Sequence, residues 1–166
     1  MSSATRTAAT SSSPATQTTA ATKAAYIARA DQVCQAGKTK QRSLHGQLIA
    51  ATTRQASNLT VARLVAARRL SVLYRHLQAI EQATNAQLRA IPRPASDAGV
   101  LNEWIRAHDA EAVDVGKTAT DVGKQTPTSV MQPHIRLLVE DQRALEAAVS
   151  QENGIARRYG FGICGR

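Results

Sequence analysis

From Lys23 to Tyr159 the apolar residues recur at alternating intervals of three and four, the spacing that lines one face of an α-helix. Ile27, Ala30, Cys34, Gly37, Gln41, Leu44, Leu48 and Ala51 make the first such seam. Ser57-Asn58-Leu59-Thr60 supplies helix-capping residue types, and Ala66, Leu70, Leu73, Leu77, Ile80, Thr84, Leu88 and Ile91 make the second seam, stopped by Pro92-Arg93-Pro94. With Ser96 or Asp97 as a cap, Leu101, Ile105, His108, Ala112, Val115, Ala119 and Val122 make the third, and the stretch from Gly123 to Pro127 breaks it. The fourth runs Met131, Ile135, Leu138, Gln142, Leu145, Val149, with Ala156 and Tyr159 continuing it. Ser129 and Gln132 are spaced like a capping box at its start.

Four long helices with short connections pack most simply as an all-α, up-down-up-down four-helix bundle spanning residues 23–166, with a pair of dimerising helical hairpins as the alternative. A monomer is expected. Aromatic residues are only 3% of the chain and much of its apolar content is alanine, so the core must rely on small side chains and close backbone approach, which favours helices over strands. Gln41, Thr84, His108 and Gln142 lie on the seams, so the core is expected to be incompletely dry.

Residues 1–22 are of another kind. Between Ser2 and Thr22, 18 of 21 residues are Ser, Thr or Ala, too little apolar surface to repay the entropy of ordering, and a disordered tail or stalk is expected. This stretch lacks the apolar centre of a secretory signal, and no apolar run approaches the ~20 residues of a spanning helix.

The chain ends Tyr159-Gly-Phe-Gly-Ile-Cys-Gly-Arg166, which places its one Phe and one of its two Cys between glycines. In an up-down-up-down bundle the start of the first helix and the end of the fourth share one end, so Cys34 and Cys164 are placed to meet. Gly160 suits the left-handed residue that commonly ends a helix, Phe161 is expected to anchor the returning chain on the last helical turn, and Cys164 to lock it. A bond closing about 130 residues contributes up to ~4–5 kcal/mol in the chain-entropy model. A Cys34–Cys164 disulfide is the preferred reading. Two reduced buried thiols in a cytosolic protein, or an interchain bond, are the alternatives.

AYIARADQVC near the start and RRYGFGICG at the end resemble the two extremities of a helical domain in secreted or membrane-anchored actinobacterial proteins that have no assigned activity. The resemblance covers about residues 24–165. It implies an extracytoplasmic helical bundle with Cys34 paired to Cys164, standing behind a Ser/Thr-rich linker and an N-terminal export signal, whereas this sequence starts at Met1 within the linker.

The chemistry-bearing residue types form no recognised motif. Gly37-Lys38-Thr39 and Gly116-Lys117-Thr118 lack the glycine that a phosphate loop needs five positions earlier, having Gln32 and Glu111 there. His45, His76, His108 and His134 have neither Glu nor His at the i−3 or i+4 spacing of bundle metal sites. His108 alone occupies a seam, where a hydrogen-bonded core histidine is the expected role. Glu103, Asp109, Glu111, Asp114 and Asp121 are distributed like a solvated or salt-bridging face. No catalytic residues, metal ligands or cofactors are expected, and an enzyme is not.

The charge of +9 is uneven: residues 1–93 hold 13 basic and two acidic residues, a balance of +11, and residues 94–166 hold 8 and 10, a balance of −2. On the second helix Arg68, Arg75 and Arg89 recur at multiples of seven, with Arg63 and Arg69 nearby, a basic stripe that could meet an anionic partner. The preferred reading pairs it with Asp114 and Asp121 on the adjacent helix. The function expected is a non-enzymatic, extracytoplasmic interaction module of the cell envelope, contacting a protein or an anionic envelope component. The alternative is a cytosolic basic module that binds nucleic acid.

Overall fold

The computed structural model describes residues 22–55, 59–131 and 135–165. The chain folds into an all-α bundle with four long helices: α1 (Lys23–Gln55), α2 (Thr60–Ala90), α3 (Ala98–Gly123) and α5 (Ile135–Tyr159). A 3-10 turn, Ala95–Asp97, precedes α3, and the short α4 (Pro127–Met131) follows it. The Ser/Thr/Ala-rich segment lies outside the described residues except for Thr22, whose hydroxyl accepts a bond from the Ala25 N–H at the start of α1.

Helix boundaries follow local chemistry. Ile91 ends α2 in extended backbone ahead of Pro92, as a residue before proline must. Ser57 and Asn58 lie outside the described residues, and Leu59 is the N-terminal cap of α2 without a side-chain bond. Asp97 stands at the cap of α3 but turns its carboxylate away, accepting the Tyr159 hydroxyl at 2.7 Å. The capping box expected at Ser129 is shifted. Thr126 is the cap: its hydroxyl accepts from the Ser129 N–H at 3.1 Å while the Ser129 hydroxyl accepts from the Thr126 N–H at 2.7 Å. Pro127 then takes the first helical position, where its missing N–H costs nothing.

Helices pack consecutively, α1 on α2, α2 on α3 and α3 on α5. The first three seams are buried or half-buried throughout. Small residues bring the backbones together: a Cβ on Gly37 would lie 2.8 Å from the Thr84 hydroxyl, and the Ser71 hydroxyl reaches the Ala119 carbonyl at 2.7 Å. The fourth seam departs from expectation. Gln142 is exposed and bonds Glu146, whereas Asp141, Ala148 and Glu152 are buried. Lys117 neutralises Asp141 from α3 at 2.9 Å. The side chains of Met131, Ile135 and Leu138 are not described.

The tail closes the bundle. Gly160 has φ 105°, and the Phe161 and Gly160 N–H groups donate to the Ala156 and Arg157 carbonyls at 3.0 and 3.2 Å, the paired bonds of a Schellman helix end. Phe161 packs on Tyr159 in the last turn as expected, and also stacks on Trp104 of α3 with ring centroids 4.3 Å apart and approaches Tyr26 of α1. Four of the chain's five aromatic residues therefore meet at this end. Cys34 and Cys164 are bonded, with Cα atoms 5.3 Å apart across 130 residues.

Asp31 is the part of this closure that no reading of the sequence anticipated. One turn before Cys34 and on the same face of α1, its carboxylate accepts three consecutive backbone N–H groups of the tail. These are Gly162 at 2.9 Å, Ile163 at 2.8 Å and Cys164 at 3.1 Å. A reversing chain exposes such a run of donors, and a carboxylate is the side chain that accepts all of them. Replacing Asp31 by Ala is expected to destabilise the oxidised protein by about 1–3 kcal/mol, because partly buried donors lose a charged acceptor, while Asp31→Asn costs less. Denaturant unfolding of the two variants checks this, and equal stability of Asp31→Ala and wild type contradicts it.

Candidate functional site

The apolar core is in two parts. One surrounds the tail: Tyr26, Ala30, Leu88, Leu101, Trp104, Ile155 and Phe161 with the disulfide. The other, towards the opposite end, contains Leu44, Ala51, Ala67, Leu70, Leu73 and Val122. Between them each long helix contributes polar side chains at one level: Gln41 from α1, Glu81 and Thr84 from α2, His108 and Glu111 from α3, Glu152 from α5.

These groups line a cavity of about 200 Å³ beneath the disulfide, bounded on one side by Gly37, Lys38 and Gln41 of α1 and on the other by Val149, Glu152 and Asn153 of α5. Among the described residues α1 and α5 meet at the tail end, where Lys23 and Tyr26 touch Tyr159, and elsewhere they do not pack as the other neighbours do. Lys38 and Asn153 at its rim are half-exposed.

A ligand atom from each of Glu81, His108 and Glu111 lies within 4.8 Å of the others. Gln41 donates to the Glu81 carboxylate. The Glu111 and Glu152 carboxyls face each other, close enough that both are not readily ionised together, and Glu152 Oε1 lies 3.1 Å from His108 Nε2. That approach lacks hydrogen-bond alignment. His108 is only 6% exposed, yet neither ring nitrogen makes a hydrogen bond. Trp104 presses edge-on against its ring at 4.9 Å.

The electrostatics follow from burial. Desolvation, then repulsion from Glu111, lifts the Glu81 carboxyl to about 7 against the opposing pull of Gln41 and Lys38. Desolvation, the facing Glu111 carboxyl and the nearby negative charges push Glu152 well above the carboxylate range. Desolvation takes His108 down to about 4, so the ring is neutral and both nitrogens offer at most one proton between them.

This constellation corrects two expectations. His108 is not a hydrogen-bonded core histidine, and Glu111 leaves the acidic face to join the cavity lining. The available signal was His108-x-x-Glu111, an i, i+3 pair that puts both side chains on one face of α3, in the reverse order of the usual Glu-x-x-His pattern. Of the seam polar residues, Gln41, Thr84 and His108 share this level and Gln142 does not. His45 and His76 are exposed elsewhere, and His134 lies outside the described residues.

The basic stripe on α2 divides. Arg89 pairs with Asp109, and Arg63 is half-buried. Arg68, Arg69 and Arg75 are exposed, and the expected pairing with Asp114 and Asp121 is absent among the described residues, Asp121 instead lying 3.7 Å from Lys124. Val61, Val65 and Val72 stand exposed on the same face of α2 as Arg68 and Arg75.

In chelator-containing buffer, a carboxyl raised by folding loses its contribution to stability as pH climbs from the unfolded value, 4.5, through the folded one, about 7. Wild type should therefore become less stable across that interval, and Glu81→Gln, which cannot ionise against Glu111 and Glu152, should show a shallower decline and a higher melting temperature at pH 8. Thermal melts across pH check this; parallel curves for the two proteins contradict it.

Compared with known proteins, the chain matches no family model, no curated protein and no solved structure.

Proposed function

We propose that this protein is an extracytoplasmic helical module, non-enzymatic in its action, that works by contact with an anionic component of the cell envelope. The observation that supports the reading is the Cys34–Cys164 bond, which joins the two extremities of the folded part; such bonds persist mainly in oxidising surroundings. Among the described residues no helix is long and apolar enough to cross a membrane.

The contact surface is the outer face of α2. Arg68 and Arg75 lie two turns apart and Val61, Val65 and Val72 stand beside them, so one face offers both positive charge and apolar side chains. Such a face suits a phosphate-bearing layer, to which each nearby arginine contributes about 1 kcal/mol. Tyr74, the aromatic residue next to Arg75, packs against the core and not beside the arginines, which favours this partner over single-stranded nucleic acid.

The compartment is tested by alkylating protein isolated from its natural source, denatured without reductant, and weighing it. Unlabelled cysteines support the reading and two labelled thiols overturn it. The contact is tested by co-sedimentation with vesicles of phosphatidylglycerol or of phosphatidylcholine. Binding to the former alone, weakened by salt and reduced about tenfold or more in the Arg68→Ala, Arg75→Ala double variant, is expected. Tighter salt-sensitive binding to duplex DNA than to anionic vesicles would instead favour a nucleic-acid partner.

A further inference from the structure

We infer that the cavity between α1 and α5 is a binding site for one divalent first-row transition-metal ion, held by the Glu81, Glu111 and Glu152 carboxylates and a ring nitrogen of His108. The inference does not depend on the compartment or on the α2 surface.

Three independent features of the site point to it. The first is convergence: four side chains of metal-ligating type, from three different helices, meet at one level of the bundle, with an apolar cluster on either side of it. Bundle cores build metal sites in this way, with inward carboxylates and a histidine on facing helices. The second is His108. This buried imidazole meets Glu152 Oε1 at 3.1 Å from Nε2 without hydrogen-bond alignment and makes no hydrogen bond at Nδ1, so a ring set among carboxyl groups lacks the directed bond that an ion would supply. The third is room. The cavity beside these groups holds about 200 Å³ and has half-exposed residues at its rim, so an ion has both space and a route.

Charge agrees with this. Three carboxyl groups face one another here, and among the described residues Lys38 is the one cation lining the cavity. A dication would offset the repulsion that the fold otherwise relieves with protons. Gln41, by donating to Glu81, fixes the orientation of one ligand, as outer hydrogen bonds do around protein metal sites.

The ligand set selects the class of ion. Calcium seeks six to eight oxygens and magnesium keeps much of its water, whereas one imidazole with three carboxylates suits zinc, iron(II), cobalt(II) or manganese(II). Bonds of about 2.0–2.2 Å put donor atoms about 3.3 Å (tetrahedral) to 4.4 Å (trans) apart, so binding draws the 4.8 Å cluster inward by about 0.5–1.5 Å.

The test is calorimetric titration of chelator-treated, oxidised wild-type protein with zinc chloride, paired with cobalt(II) absorption spectra. One ion per chain, a raised melting temperature and a cobalt spectrum showing nitrogen ligation are expected. Affinity should fall at least about tenfold in Glu111→Gln and in Glu81→Gln, both near-isosteric changes, with unaltered far-ultraviolet circular dichroism. If a variant misfolds, the wild-type stoichiometry and cobalt spectrum still decide. No zinc binding by wild type below millimolar concentration overturns the proposal. So does zinc binding that neither variant weakens, which would place the ion at exposed histidines, or calcium binding as tight as zinc.

Discussion

The grip of α1 on the C-terminal tail holds this structure together. Helices α1 and α2, α2 and α3, and α3 and α5 are neighbours in sequence or nearly so, and their packing needs no more than apolar seams and short connections. The first and last helices have no such help. Their junction is made by three interactions of different kinds within one short segment: a covalent bond at Cys164, a charged acceptor for three N–H groups at Asp31, and an aromatic anchor at Phe161. Asp31 and Cys34 are three residues apart, so a single face of α1 presents both the acceptor and the sulfur. The arrangement is economical because the donors that Asp31 satisfies are those freed by the reversal at Gly160.

Closing the bundle at one end only has a consequence further along. Beyond the tail, α1 and α5 line opposite sides of a cavity, and the polar level of Glu81, His108, Glu111 and Glu152 lies at its wall. Burying carboxyl groups together costs stability, since each is desolvated and each repels the others. The fold bears that cost at a single level, flanked by apolar clusters on both sides. In a core this poor in large side chains, filling the same space with leucines would have been the stabilising choice. The retention of four ionisable groups is therefore the feature of this bundle that packing alone does not explain.

The outside of the molecule shows the same division between halves that the charge distribution suggested, with a different internal balance. The basic half does not simply neutralise the acidic one. Arg89 and Asp109 pair across α2 and α3, and Lys117 meets the buried Asp141, but Arg68, Arg69 and Arg75 face outward beside exposed valines. A solvated face and a binding face look alike in composition; here exposed Val61, Val65 and Val72 lie among the arginines.

Much of the architecture was legible in the chain itself. Three-and-four periodicity located the helices, prolines and glycines marked their ends, and the helix count with short connections placed Cys34 beside Cys164. These are local or topological inferences, and they hold because helix periodicity and helix-ending chemistry act over a few residues. The fourth seam was misread at Asp141 and Glu152 because a hydrophobic pattern discounts charged residues even when they face inward. Asp31 was invisible for a related reason, its role being defined by N–H groups 131–133 residues away. The polar site depended wholly on tertiary structure. Glu81, His108 and Glu152 are isolated residues in the sequence, and only the lateral register of three helices brings them to one point. Register is set by how side chains interlock across the bundle, which no single helix records.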